Sequence, residues 1–417
     1  MIRKIEALRY GCLRFISRPL EGFHILVGPN ASGKTTLLDA IAFLGDLVSD
    51  GLEAAVEKRT ADLRDLVWRR TFDPFELAIE LSIPAQKTDL FENRQYDRCR
   101  YEIAIGPSTE TGETSILAER VLLLPNDLRN DPECEQQTLF PVDRPMPDTL
   151  ALPRLRGTRT IVHKVHGSND NFYYETGAGW DHSFRLGPRR SALANLPEDD
   201  IRYPVATWLK GVLNNGIQRL VLNSAAMRRP SPPGRPVGFQ ADGSNLPWVI
   251  SSLHSDAPDR FAAWIARMRS VLPDLKSIRT VERPEDRHCY LVFQDRNGLE
   301  APSWTVSDGT LRLLALTLPA YLPEFTGIYL IEEPENGIHP RAVETVFLAL
   351  SSIEDVQILL TTHSPVIVSL AEGSQVICFS RTETGATDMV LSTENPALRE
   401  WQGETDLGSL FADGVLG

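Results

Sequence analysis

Residues 28 to 35 read Gly-Pro-Asn-Ala-Ser-Gly-Lys-Thr, the spacing G-x-x-x-x-G-K-[ST]. Glycines at the two ends of such a loop let the backbone curl so that successive N–H groups point inward at an anion. A helix that follows adds its positive end. Lys34 would then reach the β- and γ-phosphates of a nucleotide, and the Thr35 hydroxyl would ligate Mg²⁺. The flanks suit this chemistry: Phe23–Val27 is an apolar run that reads as a buried strand, and residues 35–43 read as the first turns of a helix.

Three later stretches carry further candidates. In TVSDGTLRLLALTL (305–318), Ser307, Asp308 and Gly309 precede a helical run, so Ser307 and Asp308 stand where an N-cap belongs. The positive end of that helix could face a phosphate. In GIYLIEEPENGIHP (327–340) an apolar strand runs into Glu332 and Glu333. Neighbouring strand side chains point to opposite faces, so the two carboxylates serve different purposes: one reaches a magnesium shell and the other orients an attacking water. In VQILLTTHSP (356–365) a second apolar strand ends at His363.

Taken in this order, the set resembles the ATP-binding-cassette class of P-loop ATPases, the heads shared by transporters, SMC and RecF-type DNA proteins and OLD-type (overcoming lysogenisation defect) ATPases. Gly28, Pro29, Asn30, Ala31, Ser32, Gly33, Lys34, Thr35 and Thr36 match Walker A; Ser307, Asp308 and Gly309 match the signature loop. Glu332 and Glu333 match Walker B, Asn336 to His339 the D-loop, and His363 the switch histidine. The resemblance implies ATP and Mg²⁺ as cofactors. It implies nucleotide contacts from 28–36 and 307–309, metal contacts from Thr35 and Glu332, and catalytic roles for Lys34, Glu333 and His363. The family usually has Asp where this chain has Glu332; the EEPENGIHP form is similar to the OLD/RecF branch, where that exchange is familiar. The glutamine loop has only Gln86 as a candidate. In this family two heads meet head to tail and sandwich ATP, which implies self-association as a dimer or higher oligomer. The chain lacks the guanine motif N-K-x-D, so ATP rather than GTP is expected.

The elements that must position these residues are partly readable. IRKIEALRY and LRFIS alternate as a half-buried edge sheet would, and helical spacing runs from the phosphate loop to about Leu66. FELAIELSI (75–83), RYEIAIG (100–106) and ERVLLLP (119–125) read as a strand meander. Residues 125–158, rich in Pro, Asp and Arg, read as a poorly ordered surface excursion. Phe261, Trp264, Ile265, Met268 and Leu272 form a core-facing helical stripe, and RRPSPPGRPVGF (228–239) reads as a loop. The expected fold class is α/β: an ABC-ATPase head with a P-loop α/β core, an antiparallel β subdomain and a helical signature lobe. Along the chain this divides into an N-terminal ABC lobe (1–125), an insertion with extra strands (126–190), a mixed, largely helical lobe (191–300) and a C-terminal ABC part (301–417).

Composition sets outer bounds. The chain has 417 residues, 42% hydrophobic and 24% charged, as expected of a soluble globular protein. It lacks an apolar run long enough for a membrane span, and MIRKIEALRY lacks the features of a signal peptide, so no membrane partner and a cytoplasmic location are expected. Cys12, Cys99, Cys134, Cys289 and Cys378 lie far apart without a C-x-x-C pair, which fits reduced thiols and not zinc. HKVH (163–166) offers two histidines but no third ligand nearby. A net charge of −13 argues against a general polyanion binder. Arg154, Arg156, Arg159 and Lys164, then Arg185, Arg189 and Arg190, then Arg228, Arg229 and Arg235 form local basic groups that read as solvated surface charge, with nucleic acid as the other reading.

Among family functions, a transporter motor would carry a Gly-Gly-Gln signature instead of SDGTLR. A chromosome-type SMC protein would carry sustained heptads between Thr36 and Ser307, and none occur. An OLD-type nuclease would need a further metal-binding domain, for which the stretch after His363 is too short. The remaining reading is an AAA family ATPase subunit of bacterial anti-phage defence systems, with a separately encoded effector, often a nuclease, as partner. The stretch GETDLGSLFADGVLG (403–417) also looks like such stand-alone members. The alternative is a RecF-like ATPase of DNA repair or maintenance, with DNA as partner.

Overall fold

Strand alternation in the first third of the chain has two apolar-or-charged registers, and they become the two faces of one sheet. The computed structural model describes residues 1–91, 94–108, 110–126, 140–176, 182–234, 238–322, 325–398 and 407–414. The chain forms two compact units, one built on Met1–Ile217 and the strands after Gly373, the other on Gln218–Glu372 with the helix Leu407–Ala412.

In the first unit, β1 (Ile2–Tyr10), β2 (Leu13–Pro19), β4 (Phe75–Ser82), β5 (Tyr96–Pro107), β6 (Thr114–Pro125), β7 (Arg159–Val165), β8 (Asp170–Phe172) and β9 (His182–Phe184) form an eight-stranded antiparallel sheet. Its order is β2-β1-β4-β5-β6-β7-β8-β9, so the expected meander of β4, β5 and β6 is present. β2 is an edge strand, but β1 lies inside the sheet and is largely buried, unlike the half-buried edge expected of it.

The registers Ile5↔Ile79, Ile79↔Tyr101 and Tyr101↔Val121 put one apolar face together. Against it packs α1 (Lys34–Ser49), through Phe43 edge-on to Phe75 at 5.5 Å, with Tyr10 5.2 Å from Phe75. On the opposite face Arg100, only 1% exposed, pairs with Glu6 (2.5 Å), Glu80 (2.9 Å) and Glu102 (2.7 Å). A buried guanidinium of this kind is tolerable only because each charge finds a partner.

Two expectations are corrected here. Helical structure does not continue unbroken to Leu66: α1 ends at Ser49, Gly51 takes φ +89°, and a short helix Leu52–Glu57 and a 3₁₀ turn follow. Of the Pro-rich excursion, residues 127–139 lie outside the described residues, but residues 140–152 are held down. Leu150 N donates to Glu76 at 2.6 Å and Leu152 N to Glu102 at 2.9 Å, while Arg144 Nε reaches Asp388 at 2.9 Å. Buried strand carboxylates accept from this segment's backbone, which composition cannot announce.

β3 (Phe23–Val27) lies elsewhere in the first unit and leads into the 28–33 turn before α1. α2 (Pro204–Asn215) packs on α1. Glu175, fully buried, accepts from Val205 N and Ala206 N at 2.7 Å each and so satisfies the first turn of α2.

In the second unit, β10 (Ile217–Leu220) is followed by a short helix Ser224–Arg228, then α3 (Leu246–Asp256) and α4 (Pro258–Val271). The expected stripe is there: Trp264, Ile265 and Met268 are buried, with Phe261 and Leu272 half-buried at its ends. Trp264 Nε1 donates to Thr317 Oγ1 at 3.1 Å, which ties α4 to α5 (Asp308–Thr317). Between them β11 (Leu275–Glu282), β12 (Cys289–Asp295) and β13 (Glu300–Pro302) form a three-stranded antiparallel sheet. β14 (Gly327–Glu332) pairs in parallel with β15 (Val356–Thr361), with α6 (Pro340–Ser351) as the crossover and β10 on the other side of β14. The chain then returns to the first unit as β16 (Val376–Arg381), parallel to β3, and β17 (Thr387–Leu391), antiparallel to β16. The architecture is the expected α/β class: it holds parallel strand pairs, helices and a large antiparallel sheet. No described helix is long and apolar enough to cross a membrane.

Candidate functional site

The turn from β3 into α1 is built so that only glycine fits at its ends. Gly28 has φ +143°, and a Cβ there would lie 2.3 Å from Phe379 O in β16. Gly33 has φ +107°, and a Cβ there would lie 2.3 Å from Thr387 Oγ1 in β17. Thr387 Oγ1 in turn donates to Ser32 O at 2.8 Å. Between the glycines Ala31 also takes a positive φ of 61°. Lys34 is 6% exposed, and its Nζ donates to Gly28 O (2.7 Å) and Pro29 O (2.9 Å). Gly33 caps α1 without a side-chain hydrogen bond, and the fully buried Ser32 Oγ has no partner among the described residues. Thr35 is exposed on the first turn, whereas the Thr36 hydroxyl accepts from Cys12 Sγ at 3.2 Å. An orphaned hydroxyl, an uncapped helix start and an ammonium held by carbonyls are groups that phosphate oxygens would satisfy.

Apart from Gln86, the remaining predicted residues lie in the second unit. Glu332 ends β14 in register with Thr361, and its Oε1 accepts from Arg219 Nε (3.0 Å) and Nη2 (2.5 Å) in β10. Glu333 leaves the strand with φ +45°, its N–H donating to Thr361 O at 2.9 Å. A non-glycine residue in this region is uncommon, and here it stands where β14 has just ended. Asn336 Nδ2 donates to Glu333 Oε2, and His363 Nε2 stands 3.8 Å from Glu333 Oε1. Two residues beyond Glu333, Glu335 Oε1 accepts from Thr362 Oγ1 and from His363 N, both at 2.7 Å.

Ser307 is the N-cap of α5: its Oγ accepts from Thr310 N at 3.2 Å. Asp308 pairs with Arg228 at 3.0 Å, and the same guanidinium donates to Val306 O at 2.9 Å. A Cβ on Gly309 would lie 2.6 Å from Gly337 O, so α5 approaches the 336–339 turn as closely as backbone allows. His339 caps α6 through Nδ1, accepting from Arg341 N at 3.2 Å.

The second unit therefore brings Glu333, Asn336 and His363 together and sets Gly309 against the turn that carries Asn336. Gln86 lies in the first unit, in the short helix Ala85–Thr88. Sequence reasoning missed Arg219, Glu335 and the role of Arg228; Glu335 stood in view within EEPENGIHP, but its partners are distant in sequence. Of the basic groups, Lys164 is buried against Asp170 (2.6 Å) rather than solvated, and Arg189 pairs with Glu53 and with Glu113 (2.7 Å). Arg235 lies outside the described residues. His163 and His166 join no metal-binding group: among the described residues no cluster of three His, Cys, Asp or Glu side chains could hold a metal ion. The Thr35 hydroxyl and the Glu332 carboxylate are each oxygen donors of the type Mg²⁺ takes.

A family model described as "AAA domain, putative AbiEii toxin, Type IV TA system" matches residues 23–369. No curated protein matches the chain. Among solved structures, an SMC head bound to the C-winged helix domain of ScpA superposes with a TM-score of 0.51 at 17% identity, over 93% of this chain and 97% of that one. An SMC head with an extended coiled coil, bound to the C-terminal domain of ScpA and derived from Pyrococcus furiosus, gives a TM-score of 0.50 at 15% identity, over 93% and 95%. At these identities the likeness is one of fold, and the fold is that of SMC-type ABC-ATPase heads.

Proposed function

The chain belongs to this AAA-domain family, and from that premise we propose that it binds and hydrolyses ATP as a nucleotide-driven dimerisation switch. The observation that carries the reading is the 28–36 loop, where the steric demand for glycine, the orphaned Ser32 hydroxyl and the uncapped start of α1 all suit a polyphosphate. Lys34 exchanges the carbonyls of Gly28 and Pro29 for phosphate oxygens and neutralises charge as it develops. Thr35 and Glu332 are the oxygen donors that would serve Mg²⁺, whose chemistry when bound would be to polarise phosphate oxygens. Glu333, turned out of β14, accepts the proton of the attacking water, and His363 beside it orients the group being transferred. Ser307, Asp308 and Gly309 of one copy face the nucleotide held by another copy, which makes hydrolysis depend on association. In this reading segments 1–125 and 301–417 carry the ATPase parts, 126–190 is an insertion and 191–300 the lobe between them.

We further infer that this ATPase is a subunit of a bacterial anti-phage defence system, acting with a separately encoded effector. The toxin–antitoxin wording of the family description supports this, and the protein partner, ScpA, on both SMC heads of like fold bears only on the idea of a separate protein partner. The experiment is direct: measure ATP binding and phosphate release for the wild-type chain, Lys34→Ala and Glu333→Gln. Lys34→Ala should lose binding, and Glu333→Gln should keep binding and lose turnover. Normal turnover by Glu333→Gln would remove it as the base. DNA-stimulated hydrolysis without any effector would favour the repair alternative.

A further inference from the structure

We propose that Glu335 is a positioning residue that locks the His363 loop to the turn carrying Glu333 and so sets the spacing between base and histidine. This rests on the ATPase reading above. Glu335 follows Glu333 across Pro334, in a turn closed by Asn336 N to Glu333 O (3.0 Å) and Ile338 N to Glu335 O (3.1 Å). One oxygen of its carboxylate takes two donors from the exit of β15, the Thr362 hydroxyl and the His363 N–H, both at 2.7 Å. Thr362 is fully buried, and its hydroxyl also accepts from Ser364 N at 2.9 Å. The backbone on both sides of His363 is thus tied, directly or through one hydroxyl, to a single carboxylate.

Charge-assisted bonds to a backbone N–H and a hydroxyl are the strong, geometrically demanding kind. The other oxygen, Oε2, is buried with no partner among the described residues. A carboxylate oxygen left unsatisfied is costly, so this side chain is a poor choice for a purely structural tie. Its position accounts for the cost. His363 Nε2 stands 3.8 Å from Glu333 Oε1, just beyond hydrogen-bond reach, so a small shift of the loop decides whether the two side chains engage.

The test is a double-mutant cycle on steady-state ATP hydrolysis, with ATP affinity and melting temperature measured in parallel on the full chain. Glu335→Ala should lower kcat by about 10- to 100-fold, the scale of a slight misplacement of a catalytic group, while ATP affinity holds. Glu335→Gln keeps an acceptor oxygen in place and should recover most of that loss. Glu335→Ala combined with His363→Ala should be no slower than His363→Ala alone, because both changes act through the histidine. Wild-type kcat in Glu335→Ala overturns the proposal. So do additive losses, or a parallel fall in affinity and melting temperature that Gln does not recover. If the wild-type chain hydrolyses no ATP under any condition, the ATPase reading itself fails, and this inference goes with it.

Discussion

Replacing Gly309 with alanine sets two known effects against each other, and the sign of the outcome reports on the packing between α5 and the 336–339 turn. Residue 309 lies in the first turn of α5, where alanine should be favoured over glycine by about 1 kcal/mol. The structure opposes this, because the new Cβ would lie 2.6 Å from Gly337 O, well inside contact distance. The obstacle is a backbone carbonyl in a turn where Gly337 has φ +75°, so it has no rotamer to escape into. Overpacking of this kind costs about 1–3 kcal/mol, with a rigid obstacle at the upper end. The net expectation is destabilisation by about 1–2 kcal/mol, read as a lower denaturant midpoint. The displaced turn carries Asn336, whose amide holds Glu333, so ATP turnover should fall as well. A Gly309→Ala protein as stable as wild type or more so, and fully active, would show that helix propensity wins and that the close approach is wrong.

Other substitutions probe other parts of the molecule. Arg100→Met removes the cation shared by Glu6, Glu80 and Glu102 in a buried face, leaving them only Lys4, Arg98 and Arg120, and should cost about 3 kcal/mol by denaturant unfolding; a change near zero would mean those partners suffice. Burial pushes the Glu175 carboxyl up to about 7 despite its two backbone N–H donors, above the 4.5 of an unperturbed glutamate. A raised folded value means the folded chain holds the proton more tightly. The stabilisation is therefore full below about pH 4.5 and lost as pH rises through about 7. Relative to Glu175→Gln, wild type should lose up to roughly 3 kcal/mol between about pH 5 and pH 8, and parallel stability curves would remove the effect. Ser307→Arg places a long cation at the exposed cap of α5 and should block ATP-dependent association while the monomer still binds nucleotide; equal loss of both would count against a role for Ser307 between copies.

What could be read from the sequence was what depends on neighbours in the chain. The β3–loop–α1 unit, the strands of the meander, the α4 stripe and the Ser307 cap all follow from local periodicity, glycine geometry or side-chain-to-backbone bonds within a few residues. What escaped was set by distant partners. The break after Ser49 is not visible in the apolar spacing, because Gly51 ends the helix through backbone conformation. The tie of residues 140–152 to Glu76, Glu102 and Asp388 runs against a composition that reads as loop. Glu335 and Arg219 sit in full view in the sequence, but their contacts with His363 and Glu332 exist only once β10, β14 and β15 lie side by side.

If ATP drives association and Glu333 limits its lifetime, the mass of the assembly must follow the nucleotide. The mass of the Glu333→Gln protein in solution should be determined with and without ATP–Mg²⁺. A monomer that becomes a dimer or a larger even assembly only when ATP–Mg²⁺ is present is the predicted result. A mass that does not change with nucleotide, whether monomer or standing oligomer, would contradict a nucleotide-driven dimerisation switch.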